Sequence, residues 1–184
     1  MIMTVSELRQ FITTDVEDSV LEAKLQALEL LIRAYTNNNF QARAFRAIAV
    51  AKSAGHQLMT TQKNPFKAGD TLQITESELN AGLVNVSKLS DDGEITVKEE
   101  LYDESGVVIT KVVYPVDVKM GVANLLKWEL DNRDKVGVAS ETISRHSVTY
   151  FNMDGDNSLM GYPKSLLGFL RPYKKARFGQ GVRV

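Results

Sequence analysis

Apolar positions between Thr14 and Tyr35 follow the period of an α-helix and predict one long amphipathic helix. A first apolar stripe recurs at steps of three and four residues and consists of Leu21, Leu25, Leu28, Ile32 and Tyr35. A second stripe beside it consists of Val20, Ala23, Ala27, Leu31 and Ala34. Together the stripes cover roughly half of the helix circumference. The helix therefore needs partners on two sides, either two elements of its own domain or one such element and a neighbouring subunit.

Both ends of this predicted helix are marked in the sequence. Asp15 is placed to cap the free amides of the first turn, and the acidic residues after it suit the positive end of the helix dipole. On the predicted polar face, Glu29 and Arg33 have the spacing of a favourable ion pair. The three asparagines at residues 37–39 end the helix, because asparagine tolerates turn conformations.

The pattern changes to a period of two between Asn64 and Val113, which predicts short antiparallel strands. The dipeptides Asp92-Gly93 and Ser105-Gly106 favour tight hairpin turns. The preceding residues, 41–54, are rich in alanine and favour a helix by propensity, but their alternation leads us to interpret them as strand. Several short strands at this spacing predict a small antiparallel barrel or curled sheet.

Helical periodicity returns after the β module. Pro115 begins a helix that we predict from Val116 to Leu130, and Gly121 inside it indicates a close helix contact. Residues 131–162 are predicted to be mainly irregular, with strand character only around Ser147 to Phe151. Pro163 begins a third helix, which Pro172 is expected to end.

The order of elements predicts an α+β fold, in which a small α-helical bundle carries an antiparallel, barrel-like β module after its first long helix. The expected domains are a discontinuous helical core at residues 1–40 and 114–172, an inserted β module at 41–113, and a basic C-terminal arm at 173–184. The long first helix cannot bury its apolar face without the helices that follow the insertion.

Composition narrows the function classes. The chain has 184 residues, a net charge of −1 and no cysteine, which excludes disulfides, thiolate metal sites and a cysteine nucleophile. The N-terminus lacks the pattern of a secretory signal, and no apolar run is long enough to span a bilayer, so we expect no membrane partner.

Candidate active-site motifs are weak, and we predict that the protein is not an enzyme and uses no cofactor or metal. The two histidines, His56 and His146, are far apart and lie in no ligand-spaced cluster. The Asp154 to Asn157 segment resembles part of a calcium loop but lacks its bidentate glutamate. The loop from Ser140 to Ser147 has the residue types of a catalytic triad without a nucleophile elbow, so a hydrolase is the least favoured hypothesis.

The C-terminal segment concentrates positive charge. From Lys164 onward the chain has six basic residues and no acidic one, and the aromatic residues Tyr173 and Phe178 lie among them. Three interpretations remain open: an arm that docks on an acidic partner surface, a contact with nucleic-acid phosphates, and a solvated tail.

The order of these stretches resembles the head-tail connector, or adaptor, proteins of long-tailed bacteriophages. The stretches that carry the resemblance cover most of the chain in order. They are DVEDSVLEAKLQALELLIRAYTNNNFQ, NPFKAGDTLQI, NAGLVNV, YPVDVKMGVANLLKWEL, VGVASETISRHSVTYF and GYPKSLLGFLRPYKKARF. No one of these motifs is diagnostic alone.

The resemblance implies a structural virion protein at the neck, the junction of head and tail, that assembles in the host cytoplasm. About twelve subunits would form a ring that binds the portal protein on one side and the stopper or tail-completion protein on the other. Double-stranded DNA would pass without sequence specificity through the channel. The β domain inserted after the first long helix agrees with the order of elements found here.

The resemblance also implies roles for particular residues. The expected portal contacts lie in the basic arm and just before it, and are Arg171, Tyr173, Lys174, Lys175, Arg177, Phe178 and Arg183. The expected subunit contacts lie on the two long helices and in the loop from Val138 to Phe151. They are Leu21, Leu25, Ile32, Trp128, Ile143, His146 and Tyr150. A competing hypothesis is a nucleic-acid-binding regulator with an SH3-like module and a basic tail.

Overall fold

The chain forms two compact units in a computed structural model, which describes residues 1–60, 65–90, 92–133, 140–143, 146–149 and 156–176. The barrel unit consists of Met1 and residues 39–114. The helical unit consists of residues 2–38 and the chain from Pro115 onward. This combination of helices with a closed antiparallel barrel confirms the predicted α+β class.

Six antiparallel strands form the barrel unit and close in the order β1-β2-β5-β4-β3-β6. They are β1 (Gln41–Lys52), β2 (Gln57–Thr60), β3 (Thr71–Thr75), β4 (Gly82–Leu89), β5 (Glu94–Val97) and β6 (Glu104–Val112). The barrel-like module is therefore confirmed, and so is the strand interpretation of the alanine-rich stretch, most of which is β1.

The core of the barrel explains why β1 is rich in alanine. Ala47, Ala49 and Ala51 are buried, and they share one core with the larger side chains of Ile109 on β6 and Leu58 on β2. Small barrels often alternate small and large interior residues to fill their taper. Packing inside the closed sheet thus overrides the helix propensity of alanine.

One of the two predicted hairpin turns is correct and one is wrong. Gly93 has φ of +84° and joins β4 to β5 in a tight connection, as expected. Ser105 and Gly106, in contrast, lie inside β6. Gly106 has φ of +80°, and the pairing of β1 with β6 shifts register beside it. The Ser-Gly dipeptide therefore marks a β-bulge. A bulge of this kind, like a tight turn, favours glycine because one residue has a positive φ.

The two ends of the inserted barrel lie side by side. The rings of Phe40 and Tyr114 are 4.8 Å apart, centroid to centroid, and both side chains are buried. The backbone N–H of Val113 donates to the carbonyl of Phe40 at 2.9 Å. The chain consequently leaves the barrel close to the point where it entered.

Among the described residues, the helical unit contains three α-helices and a ten-residue 3₁₀ helix. They are α1 (Val5–Leu8), α2 (Asp18–Thr36), α3 (Val116–Asn132) and the 3₁₀ helix (Lys164–Tyr173). Their core is aliphatic and includes Leu8, Leu21, Leu25, Ile32, Val122, Leu125, Leu126, Leu167 and Leu170. The predicted start of α3 after Pro115 is confirmed.

The N-terminal end of α2 differs from the prediction. The helix begins at Asp18, with Glu17 as the N-cap residue and no side-chain capping bond, so the capping role expected of Asp15 is wrong. Arg9 holds the preceding turn instead, because its guanidinium donates to two backbone carbonyls and to the Asp18 carboxylate. The C-terminal end is as predicted, with Asn37 in the left-handed conformation.

The chain after α3 is more regular than predicted. It contains the antiparallel pairs β7 (Ser140–Ile143) with β8 (His146–Thr149), and β9 (Ser158–Leu159) with β10 (Tyr162–Pro163). The third helix is a 3₁₀ helix that runs through Pro172 rather than ending there. Proline permits this because its fixed φ lies within the 3₁₀ range.

Candidate interaction surfaces

Helix α2 buries one of its apolar stripes and exposes the other. Leu21, Leu25 and Ile32 have no exposed surface, whereas Leu30 is 63% exposed on the opposite side of the helix. The exposed apolar surface, which we call the α2 ridge, consists of Val20, Ala23, Ala27, Leu30, Ala34 and the half-buried Leu31. Within the described residues, this second apolar stripe is thus exposed while the first is buried.

The charged residues of α2 depart from the prediction. Glu29 and Arg33 were expected on an exposed polar face, but only 3% and 9% of their surfaces are exposed. A buried charged residue and an exposed apolar surface are the informative exceptions to ordinary burial. Helix α2 shows both, which is unusual for the surface helix of a monomer.

A second exposed apolar surface is a groove between α3 and the 3₁₀ helix. Its walls are Met120 on α3 and Leu166 and Phe169 on the 3₁₀ helix, and Gly121 on α3 lies at its floor. Asp117, Asn124 and Ser165 form its polar edge. We call this surface the α3 groove.

Helix geometry extends the apolar lining of the α3 groove at the end where Asp117 lies. Val116, about one turn before Met120, is 75% exposed. A 3₁₀ helix has about three residues per turn, so Pro172 falls in the same row as Leu166 and Phe169. Gly121 is a signal of this surface in the sequence, because it interrupts the α3 pattern where a neighbour comes close.

The floor of the α3 groove depends on Gly121. A methyl group at this position would lie 2.4 Å from the Phe169 ring, which is closer than carbon atoms approach one another. The close helix contact predicted at Gly121 is therefore confirmed, and its partner is the 3₁₀ helix. A side chain at position 121 would displace the Phe169 ring.

The first part of the basic C-terminal segment is bonded to the end of α2. The Lys175 N–H donates to the Thr36 carbonyl at 2.8 Å, and the Asn37 side chain donates to the Ala176 carbonyl at 2.9 Å. The Lys174 ammonium lies 3.8 Å from the centroid of the Tyr35 ring. Residues 174–176 are thus held by contacts within the helical unit, which differs from an arm that is free from Tyr173 onward.

Tyr173 adds a further contact to this segment. Its hydroxyl donates to the two oxygens of the Asp117 carboxylate, at 2.8 Å and 2.7 Å. This hydrogen bond raises the pKa of the Tyr173 phenol above its usual value, because the carboxylate stabilises the protonated form. Arg171 and Lys175 remain exposed beside it.

The other expected contact residues fall into three groups. Leu21, Leu25 and Ile32 belong to the helical core, so their expected place at a subunit interface is corrected: burial within the chain leaves them no surface to offer a neighbour. Ile143 and His146 pair across β7 and β8. Tyr150, Arg177, Phe178 and Arg183 lie outside the described residues.

Trp128 lies at the edge of the helical core, in a cluster that the sequence did not reveal. Its ring centroid is 5.7 Å from that of Tyr162, and the Arg133 guanidinium lies 5.7 Å and 5.2 Å from the centroids of Trp128 and Tyr162. The Arg133 side chain also donates to the Gly161 carbonyl at 3.2 Å. Trp128 therefore packs on its own unit, as an ordinary core-edge residue does.

The Glu129 carboxylate joins this cluster to α2. It accepts hydrogen bonds from the Lys24 ammonium at 2.6 Å and from the Tyr162 hydroxyl, and Arg133 lies 3.5 Å away. Burial acts to raise the pKa of Glu129, but the bonds from Lys24 and Tyr162 and the charges of Lys24 and Arg133 lower it below its ordinary value of 4.5. The cluster links residues that are 105 positions apart and so leaves no local signal in the sequence.

Replacing Glu129 by glutamine is expected to lower the stability of the helical unit by about 1 kcal/mol at neutral pH. A neutral amide accepts weaker hydrogen bonds from Lys24 and Tyr162 than a carboxylate does. Because the native pKa of Glu129 is lowered, its stabilisation is present above pH 4.5 and is lost as the pH falls through the native value. Denaturant unfolding of both proteins at several pH values measures this.

The control for this substitution is Asp131→Asn, which changes an exposed acid on the same helix. We expect the free energy of unfolding of the Glu129→Gln variant to approach that of the unchanged protein at low pH. A difference that stays constant from pH 7 to pH 3 would contradict a role for the carboxylate charge.

The acidic residues of the barrel organise its own loops. The Glu104 carboxylate accepts hydrogen bonds from the Ser77 hydroxyl, the Glu78 N–H and the Asn80 side chain, at 2.6–2.8 Å. The bond from Ser77, followed by that from the Glu78 N–H, lowers the pKa of Glu104 to about 2. The carboxylate thus fixes the loop between β3 and β4.

No chemical site emerges from the part of the chain that the structure describes. Within it, no group of three histidine, cysteine, aspartate or glutamate residues is placed to hold a metal ion. No helix among these residues is both long and apolar enough to cross a membrane. The described surfaces that stand out are therefore the α2 ridge, the α3 groove and the basic segment.

Comparisons with known proteins add no further constraint. No protein-family model matches the chain, and no curated protein is significantly similar to it.

Proposed function

We propose that the protein is a head-tail connector of a tailed bacteriophage, which forms a ring between the portal and the stopper or tail-completion protein. The order of elements supports this proposal, because a closed β-barrel follows the first long helix of a small helical bundle. The resemblance of the sequence to connector proteins implies that same order. As a structural protein of the neck, it would need neither a cofactor nor a catalytic site.

The observation that carries the proposal is the exposed α2 ridge. Its apolar side chains run along a 19-residue helix whose opposite face is buried. Exposed apolar surface of this kind marks a site of protein association. A ring subunit buries a second helix face against its neighbour, which would cover this exposed surface.

The basic C-terminal segment is the proposed portal contact. Its described part presents Arg171 and Lys175 to solvent while Tyr173 and Lys174 hold it against the helical unit. Residues 173–176 are held in place, and basic and aromatic residues follow them in the sequence. This arrangement suits docking on an acidic surface, because a segment that is already ordered loses less entropy on binding. DNA would pass through the ring without sequence-specific contacts.

A pull-down with the portal protein encoded beside its gene tests this function. The full chain is compared with a version that ends at Ala176, which keeps the bonds of residues 173–176 to the helical unit. We expect the full chain to form a stoichiometric ring on the portal, visible by electron microscopy, and the shortened chain to bind at least tenfold more weakly. Equal binding by both chains would remove residues 177–184 from the interface.

The second candidate function is a nucleic-acid-binding regulator with an SH3-like module. The observation that favours it is the excess of basic residues after Lys164, where the chain has no acidic residue. Binding to duplex DNA that weakens steeply with salt would support it, since the slope reports the number of phosphates contacted. Such binding, together with no portal complex from the full chain, would replace the connector proposal.

A further inference from the structure

The described residues of the helical unit form a convex apolar surface and a concave one. The α2 ridge is a helix face with Leu30 at its crest, and the α3 groove is a channel between two helices. We propose that the α2 ridge of one copy docks in the α3 groove of the next copy. This inference rests on the proposed ring function and names the two surfaces that would build the ring.

The side chains of the two surfaces are complementary in size. Ala23, Ala27 and Ala34 keep much of the ridge low, so another helix can approach it closely. Gly121 keeps the floor of the groove low at the Phe169 ring. Leu30 is then the large side chain of the ridge that would enter the groove. The flexible Met120 side chain in the groove wall can adapt to it.

The charges around the two surfaces are also complementary. The ridge begins beside the exposed acidic residue Glu17, whereas the neighbouring Asp18 already pairs with the Arg9 guanidinium. On the groove side, Lys127 follows Asn124 on the same face of α3, and Arg171 shares a row of the 3₁₀ helix with Ser165. Both basic side chains are exposed. Asp117, the acidic residue of the groove, already accepts the Tyr173 hydroxyl.

The symmetry of this contact follows from its two unlike surfaces. A contact between different patches is heterologous, so each copy keeps one free ridge and one free groove after it binds a neighbour. Such a contact propagates and closes into a ring when the rotation per subunit allows it. A ridge that paired with a second ridge would instead stop at a dimer.

Cysteine cross-linking tests the contact directly because the chain has no cysteine of its own. We would place one cysteine on the ridge, Ala27→Cys, and one at the groove, Asn124→Cys, and treat the proteins with a short bismaleimide. The chain that carries both should give a ladder of multimers. A mixture of the two single variants should give only a dimer, and each single variant alone should stay uncross-linked.

Other cross-linking patterns would overturn the proposal. Dimers from either single variant alone would indicate a contact between like surfaces. No ladder from the double variant, up to its highest soluble concentration, would show that ridge and groove do not meet. The matched control is Ile48→Cys with Ala27→Cys, since Ile48 is an exposed position on the barrel, and it should give no ladder.

Charge substitutions give an independent readout in solution. Leu30→Asp blocks the ridge and Met120→Asp blocks the groove, and both positions are exposed, so folding should survive. Each variant alone should lose self-association in sedimentation experiments. In an equimolar mixture, the intact ridge of the Met120→Asp variant should bind the intact groove of the Leu30→Asp variant. The resulting dimer should not grow, because the two surfaces that remain are both blocked. Self-association of either variant at the unchanged level would overturn the proposal.

The outcomes also separate this inference from the proposed function. Rings of the unchanged protein on the portal, without any ridge-to-groove ladder, would leave the connector function standing and refute the named surfaces. A ladder without portal binding would establish the contact and refute the connector function.

Discussion

Replacing Ile109 by alanine is expected to destabilise the barrel unit by about 2–5 kcal/mol. Ile109 is fully buried on β6, where its side chain belongs to the core shared by all six strands. Removing three carbon atoms from a closed barrel leaves a cavity that the surrounding strands cannot fill without breaking their pairing. Native-state hydrogen exchange of the strand amides measures this loss, because their slowest exchange reports unfolding of the barrel.

The matched control is Ile48→Ala on the neighbouring strand. Ile48 is the same residue type and lies on β1, opposite Val108, but it is 66% exposed on the outer face of the barrel. We expect a loss below about 1 kcal/mol, which is the range of strand propensities. Similar losses for both variants would contradict the assignment of inner and outer positions in the barrel.

Replacing Gly121 by alanine is expected to destabilise the helical unit by up to about 2 kcal/mol, although alanine is the better helix former. Overpacking against the Phe169 ring costs about 1–3 kcal/mol, and the gain in helix propensity offsets about 1 kcal/mol of it. Trp128 is the one tryptophan of the chain and lies on the same helix, so its fluorescence follows unfolding of this unit.

The sign of this effect should reverse when Phe169 is removed first. In a Phe169→Ala background the space above Gly121 is open, so Gly121→Ala should stabilise the unit by about 1 kcal/mol through helix propensity alone. If alanine at position 121 destabilises both backgrounds equally, the Phe169 ring is not what excludes a side chain there.

Several elements could be predicted from sequence because local patterns determine them. The period of two predicted the barrel, since every inner position of a closed sheet must be apolar. Gly121 predicted a close contact, because glycine within a helix is costly unless a neighbour requires it. The two stripes of α2 predicted more apolar surface than one partner buries, and one stripe is exposed in the part of the chain that the structure describes.

Other features depend on residues that are distant in sequence and could not be predicted. Nothing near Glu129 shows that Lys24 and Tyr162 converge on it. Burial of Glu29 and Arg33 likewise depends on what surrounds α2, not on their spacing. The α3 groove was missed for the same reason, because its second wall comes from a helix more than 40 residues later in the chain.

The contact between Phe40 and Tyr114 also bears on how the helical unit folds. An unstructured connection grows costlier to close as it lengthens, by about 0.6 kcal/mol for each doubling of its length. Once the barrel has folded, its two ends are held together, so the inserted segment between the helices behaves as a short loop would. The barrel can therefore diverge in sequence, or be exchanged for another module whose ends are adjacent. Either change adds little to the entropic cost of bringing together the helices before and after it.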